Sequence, residues 1–239
     1  MILAPKRHIN VALVVLVLFG WTGTGVVCAE ELPQLIFEHF NEASSLERWK
    51  TSDIERSRSV WKLDQGTEST DANQFLRVTG KSEFEPPFRS PHSYALVKDL
   101  IVDNFELTVR LQNTNRDAGA HRDLCLFFGF QDPSHYYYVH FGAVADPHAC
   151  QIFIVNGAPR TKITVQEATG TPWDDNWHTV KLIRDIENGR IEVFFDNLSK
   201  AFMTAQDTTF LWGQVGVGTF DDHGNFDDFE LRGRRAARP

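Results

Sequence analysis

Cysteine, methionine and long apolar runs are scarce in this chain. Only three cysteines and two methionines occur in 239 residues, too few for a disulfide-stapled scaffold. No heptad pattern, internal repeat or low-complexity tract is present, which excludes coiled coils, solenoids and collagen-like chains. Positive charge is also in short supply. Twenty-four Lys and Arg face 32 Asp and Glu, for a net charge of −8. That acidity argues against nucleic acid and anionic membranes as partners. Beyond the N-terminus no apolar segment approaches bilayer-spanning length.

What is present begins with Lys6 and Arg7, an apolar run from Ile9 to Phe19, and Val27-Cys28-Ala29 ahead of Glu30. A basic start, a short apolar core and a small-residue cleavage site make a secretory signal over residues 1–29. Residues 30–239 are then one exported domain, secreted or periplasmic and expected to act as a monomer. Cleavage removes two cations and no acid, so the mature chain is more acidic still. Of the cysteines only Cys125 and Cys150 remain. A strand is expected between them, and two strand spacings of about 9.6 Å exceed the reach of a disulfide. Both are expected to be free, buried thiols.

After the signal, helical periodicity is weak. Short alternating or β-branched and aromatic runs recur between Gly, Pro, Asn and Asp, the rhythm of an all-β sandwich. Asn156-Gly157 and Asn188-Gly189 mark tight turns. A short helical turn is expected near Ala43 to Trp49.

Alternation along five central segments separates two faces. Phe105, Leu107, Val109 and Leu111 oppose Glu106, Thr108, Arg110 and Gln112. Leu124, Leu126, Phe128 and Phe130 oppose Asp123, Cys125 and Phe127. Tyr137, Val139 and Phe141 oppose Tyr136, Tyr138 and His140. Ile152 and Ile154 oppose Gln151 and Phe153, and Ile163 and Val165 oppose Arg160, Lys162 and Thr164. Paired in order, these strands predict one apolar face and one continuous polar and aromatic floor.

Two stretches carry a family resemblance. Trp177-His178-Thr179-Val180-Lys181 is followed by Ile191-Glu192-Val193-Phe194-Phe195-Asp196-Asn197. Gly213-Gln214-Val215-Gly216-Val217-Gly218 is followed by Phe226-Asp227-Asp228-Phe229. With Phe37-Glu38-His39-Phe40 leading to Trp49-Lys50, this resembles concanavalin A-like and laminin-G-like jelly-roll sandwiches. It is also similar to 3-keto-disaccharide hydrolase domains, which resemble family-16 glycoside hydrolases. The resemblance runs from about residue 35 to 232 and implies two antiparallel sheets and a poly- or oligosaccharide partner. The Glu-x-Asp-x-x-Glu strand of family-16 enzymes is absent, so their retaining mechanism, which needs two carboxylates, does not carry over.

The polar floor supplies the groups that carbohydrate chemistry uses. Arg110, His121, Asp123, Tyr136, His148, Gln151 and Lys162 are candidate saccharide contacts, with Trp173 as a stacking platform. A catalytic alternative makes His140 the general base, Tyr138 the proton donor and Arg160 the neutraliser of an acidic sugar's carboxylate, as in a glycoside hydrolase or polysaccharide lyase. A non-catalytic laminin-G-like adhesion module is a further alternative. The histidines 121, 135, 140 and 148 have no standard zinc spacing. The acid-rich stretch Asp221 to Asp228 suits Ca²⁺, and in sandwiches of this kind Asp228 with Glu38 is the implied structural calcium pair.

Overall fold

The computed structural model describes residues 31–53, 55–66 and 73–237. The expected signal segment, with Cys28, lies outside the described residues. From Leu32 onward the described chain forms one compact unit.

Sixteen strands follow one another: β1 (Gln34–Glu38), β2 (Trp49–Thr51), β3 (Trp61–Gln65), β4 (Gln74–Thr79), β5 (Ser93–Val97) and β6 (Val102–Asn113), then β7 (Cys125–Asp132), β8 (His135–His140), β9 (Gln151–Asn156), β10 (Thr161–Lys162) and β11 (Thr164–Gln166). The C-terminal group is β12 (His178–Asp185), β13 (Arg190–Phe195), β14 (Met203–Gln206), β15 (Gln214–Thr219) and β16 (His223–Arg235). Single-turn 3₁₀ helices occur at Ser45–Arg48 and Arg56–Arg58, and a longer one at Arg116–His121. Among the described residues no helix is long and apolar enough to cross a membrane.

The strands form two antiparallel sheets. One runs β11-β14-β13-β12-β6-β16-β4-β3, with β1 also on β16; the other runs β10-β9-β8-β7-β15-β5-β2. This is the expected jelly-roll sandwich, with one difference. The strand carrying Arg110 does not pair with the next. β6 sits in the nine-stranded sheet between β12 and β16, while β7 pairs with β8 and β15 in the other. The expected five-strand floor is therefore three full strands and the two-residue β10. Successive strands on either side of the 3₁₀ segment Arg116–His121 face each other across the core instead of lying side by side.

The apolar parity holds across that core. Leu107, Val109 and Leu111 meet Leu126, Phe128, Tyr137, Val139 and Ile152 in one buried cluster. Phe130 departs from it. The β7–β8 register shifts after Phe128, Gly129 takes φ 56°, and Phe130 turns to the opposite face of its sheet. Val165 departs too and is 74 % exposed. The segment read as one strand from Arg160 to Val165 is two: β10 pairs with β9, and after Ile163 β11 crosses to β14 in the other sheet. Both cysteines are free and buried, with β8 lying between β7, which holds Cys125, and β9, which Cys150 immediately precedes.

Candidate functional site

The outer face of the seven-stranded sheet holds Tyr94, Phe127, Phe130, Tyr136, Tyr138 and Phe153. In place of an open floor they form a second buried aromatic cluster. Phe127 stacks on Tyr138, Tyr138 on Phe153 and Phe130 on Tyr136, at centroid separations of 5.0–6.1 Å. Phe84 and Phe88, from the Pro-rich loop between β4 and β5, and Phe220, from the β15–β16 turn, pack onto it. Tyr136 is 2 % and Tyr138 0 % exposed. Neither is available to a ligand, which corrects the expectation for both. Burial pushes both phenols well above the usual tyrosine range.

At one end of this face the cover stops and a cleft of about 380 Å³ opens. The 3₁₀ segment contributes His121, and the loop 141–149 contributes Asp146 and His148. The β9–β10 turn contributes Arg160, the loop before β5 Arg89, and the β15–β16 turn Phe220 and Asp221. His140 and Asp123 form the inner wall. Cys125 and His140 are cross-strand partners, and His140 is paired in turn with Gln151. Strand alternation then brings Asp123 beside the imidazole, two residues before Cys125.

Asp123 is 3 % exposed and fully engaged. Its Oδ1 accepts from Thr219 Oγ1 at 2.8 Å and from the Phe220 N–H at 3.2 Å. Its Oδ2 lies 3.2 Å from His140 Nε2. Its own N–H donates to Asp222 Oδ2 at 2.6 Å. Burial, with the nearby Asp123 charge adding to it, raises Asp222 above the usual carboxylate range, although it accepts from Asn113, Asn115 and that N–H. His140 is 6 % exposed. Its Nδ1 accepts the Cys150 N–H at 3.3 Å, which assigns the proton to Nε2, facing Asp123. Neither ring nitrogen then offers a lone pair to a substrate. The same tautomer disqualifies the buried trio Asp123, Cys125 and His140, whose ligand atoms lie within 4.8 Å of one another, because a protonated nitrogen cannot ligate a metal.

Arg160 is held from several sides. Its Nη1 donates to the Tyr138 hydroxyl at 2.8 Å and its Nη2 to the His148 carbonyl at 3.0 Å. Its guanidinium carbon lies 4.7 Å from the Phe153 ring centre and 4.8 Å from that of Phe220.

Of the residues singled out by sequence, the cleft gathers His121, Asp123, His140, His148 and Arg160 and leaves out the others. Gln151 is 1 % exposed and donates to the Asp146 carbonyl and to Glu167, holding the loop 141–149. Lys162 pairs with Glu167 at 2.6 Å. Arg110 is on the other sheet, paired with Asp228 and lying over Trp177. Trp173 is a structural residue. Its indole N–H donates to the Phe141 carbonyl at 2.8 Å, and its ring packs edge-on against Phe195. Of the implied calcium pair, Glu38 accepts from the Phe40 N–H, Ser45 and Arg48. Asp228 lies 2.7 Å from His39 Nδ1 and 3.3 Å from Arg110 Nη1, and its carboxylate, that of Asp227 and the His39 ring bring ligand atoms within 4.8 Å of one another. Sequence reasoning missed Arg89 and Phe220, and it read Asp221 as part of a calcium-binding stretch where it lines this cleft. Phe84 and Phe88 in a Pro- and Ser-rich loop were the available signal, since aromatic residues in a loop imply that it folds back onto something.

No protein-family model matches the chain, and no curated protein does. Among solved structures it is similar to the carbohydrate-binding module CBM66 from Bacillus subtilis (TM-score 0.53, 16 % identity, 77 % of this chain and 95 % of that one). It is also similar to a protein of unknown function with a galectin-like fold from Bacillus subtilis (TM-score 0.55, 13 % identity, 87 % and 99 %). A third match is a GH43 protein from Bacillus licheniformis (TM-score 0.55, 10 % identity, 83 % of this chain and 39 % of that one). At these identities the likeness is one of fold, and the fold is the concanavalin A-like jelly roll.

Proposed function

We propose that this domain is exported and binds a poly- or oligosaccharide, holding it without cutting it, in the cleft beside His140. The observation that carries this reading is the cleft itself. It is the open end of an otherwise sealed aromatic face, and imidazole, guanidinium and carboxylate groups converge there with an aromatic edge, the mixture that sugar hydroxyls and ring faces require. The fold shared with a carbohydrate-binding module supports it. Binding is favoured over catalysis because the two groups that proton transfer would need are committed. His140 has no free lone pair, and the Tyr138 hydroxyl is sealed and accepts from Arg160.

Two measurements check this. Ala120 is exposed at the cleft wall, and Ala120→Trp should fill the opening while leaving the fold intact, since surface substitutions cost only about 0.5 kcal/mol. Titration calorimetry against a polysaccharide panel should show binding by the wild type and a loss of about tenfold or more in the variant. The same panel, followed by reducing ends and by absorbance of unsaturated products, should show no turnover. Product formation that His140→Ala abolishes would replace binding with catalysis. Export is supported by the tripartite N-terminus of the sequence. Mass spectrometry of the protein from the exported fraction should find Glu30 as the first residue, and an intact Met1 there would remove that part of the proposal.

A further inference from the structure

The arginines divide into two groups. Arg48, Arg77, Arg110, Arg122 and Arg190 each reach a carboxylate within 4.0 Å. Arg89, Arg160, Arg184 and Arg235 reach none among the described residues; Arg184 is sealed in the core with its Nη2 on the Phe210 carbonyl, Arg235 is exposed elsewhere, and Arg89 and Arg160 line the cleft. Arg160 is the more telling of the two. Its side chain is half-buried against Phe153 and Phe220, and its two protein hydrogen bonds go to neutral oxygens, the Tyr138 hydroxyl and the His148 carbonyl. A guanidinium carries five N–H donors, so most of this fork has no protein acceptor.

Taking a cation partly out of water without a counter-charge is unfavourable. Here the side chain is also fixed, so its position is set before any ligand arrives. A rigid planar fork with spare donors matches a carboxylate or sulfate oxygen pair. Asp146 and Asp221 on the same cleft are suited to accept from hydroxyls, which leaves the Arg160 end for charge.

We infer that the saccharide bound here is an anionic one, bearing a uronate carboxylate or a sulfate ester, and that Arg160 receives that group with Arg89 assisting. This rests on the cleft being a saccharide site. The residues argue for the shared chemistry of a planar or tetrahedral anionic oxygen group, and two pairs of probes separate its sources. Oligogalacturonate is compared with its methyl ester, and a sulfated galactan oligosaccharide with its desulfated form, by titration calorimetry on the full chain.

The wild type should bind the charged member of at least one pair tenfold or more tighter than the neutral member. Arg160→Gln should abolish that preference. If Arg160→Gln fails to fold, Arg89→Glu, a change at an exposed position, should cut the affinity for the charged member at least threefold. Equal binding of both members in both pairs would overturn the inference and leave the saccharide site standing. A preference that survives intact in a folded Arg160→Gln protein would overturn it as well. No binding of any saccharide would remove the underlying reading, and the inference with it.

Discussion

Asp123→Ala is expected to destabilise the fold by about 3 kcal/mol, the loss that follows from leaving buried donors without their acceptor. The carboxylate is almost fully buried, accepts from the Thr219 hydroxyl and the Phe220 N–H, and lies 3.2 Å from His140 Nε2. Alanine leaves both donors without that acceptor. The N–H of Phe220 matters most, because the ring of that residue covers the aromatic cluster and clamps Arg160. Asp123→Asn keeps one acceptor oxygen and should cost about half as much. Urea unfolding followed by tryptophan fluorescence and circular dichroism measures both variants. A loss under about 1 kcal/mol for the alanine variant would mean that the network contributes little.

Gly216→Ala is also expected to be damaging, with a loss of about 3 kcal/mol or failure to accumulate folded protein. β15 is an inner strand between β7 and β5. A Cβ at Gly216 would lie 2.1 Å from the Ala95 carbonyl oxygen and 2.8 Å from the Leu96 Cα, both backbone atoms of the neighbouring strand that cannot step aside. Gly218 is similar in kind, meeting the Ser93 carbonyl at 2.2 Å and the Phe127 ring at 2.6 Å. The measurement is thermal unfolding of the purified variant, or its yield in the soluble fraction. Wild-type stability in Gly216→Ala would show that β5 and β15 can spread apart freely.

Those two glycines also show why the fold was legible in the sequence. The stretch Gly213 to Gly218 carries the family resemblance, and it is steric. The backbones approach so closely that no side chain fits at alternate positions. Period-two alternation in β6 to β9 was legible for the same reason, because the core accepts only one face of each strand. What the pattern could not reveal was which sheet each strand joins. Glu106, Thr108 and Arg110 look like a continuation of the polar set on β7 and β8, yet they line the outside of the opposite sheet. Alternation records inside from outside and says nothing of neighbours.

The site was legible only in part. His121, Asp123, His140, His148 and Arg160 do come together. Tyr136 and Tyr138 read as a sugar-binding floor because phenols are amphipathic, and nothing local foretold that Phe84, Phe88 and Phe220 would return from distant loops to cover them. Phe130 and Val165 were misplaced by irregularities of a single residue, the turn at Gly129 and the crossing at Ile163, which shift phase without leaving a compositional mark.

That crossing at Ile163 has a further consequence. β10 holds two residues and β11 three, and β2 at the far border of the seven-stranded sheet holds three. A visiting peptide seeking to extend that sheet would find a few unpaired amides at either border, too short a template to zip onto. Recruitment of extended strands from other molecules, whether as partners or as aggregates, is discouraged there, and the domain's traffic with its surroundings is left to side chains.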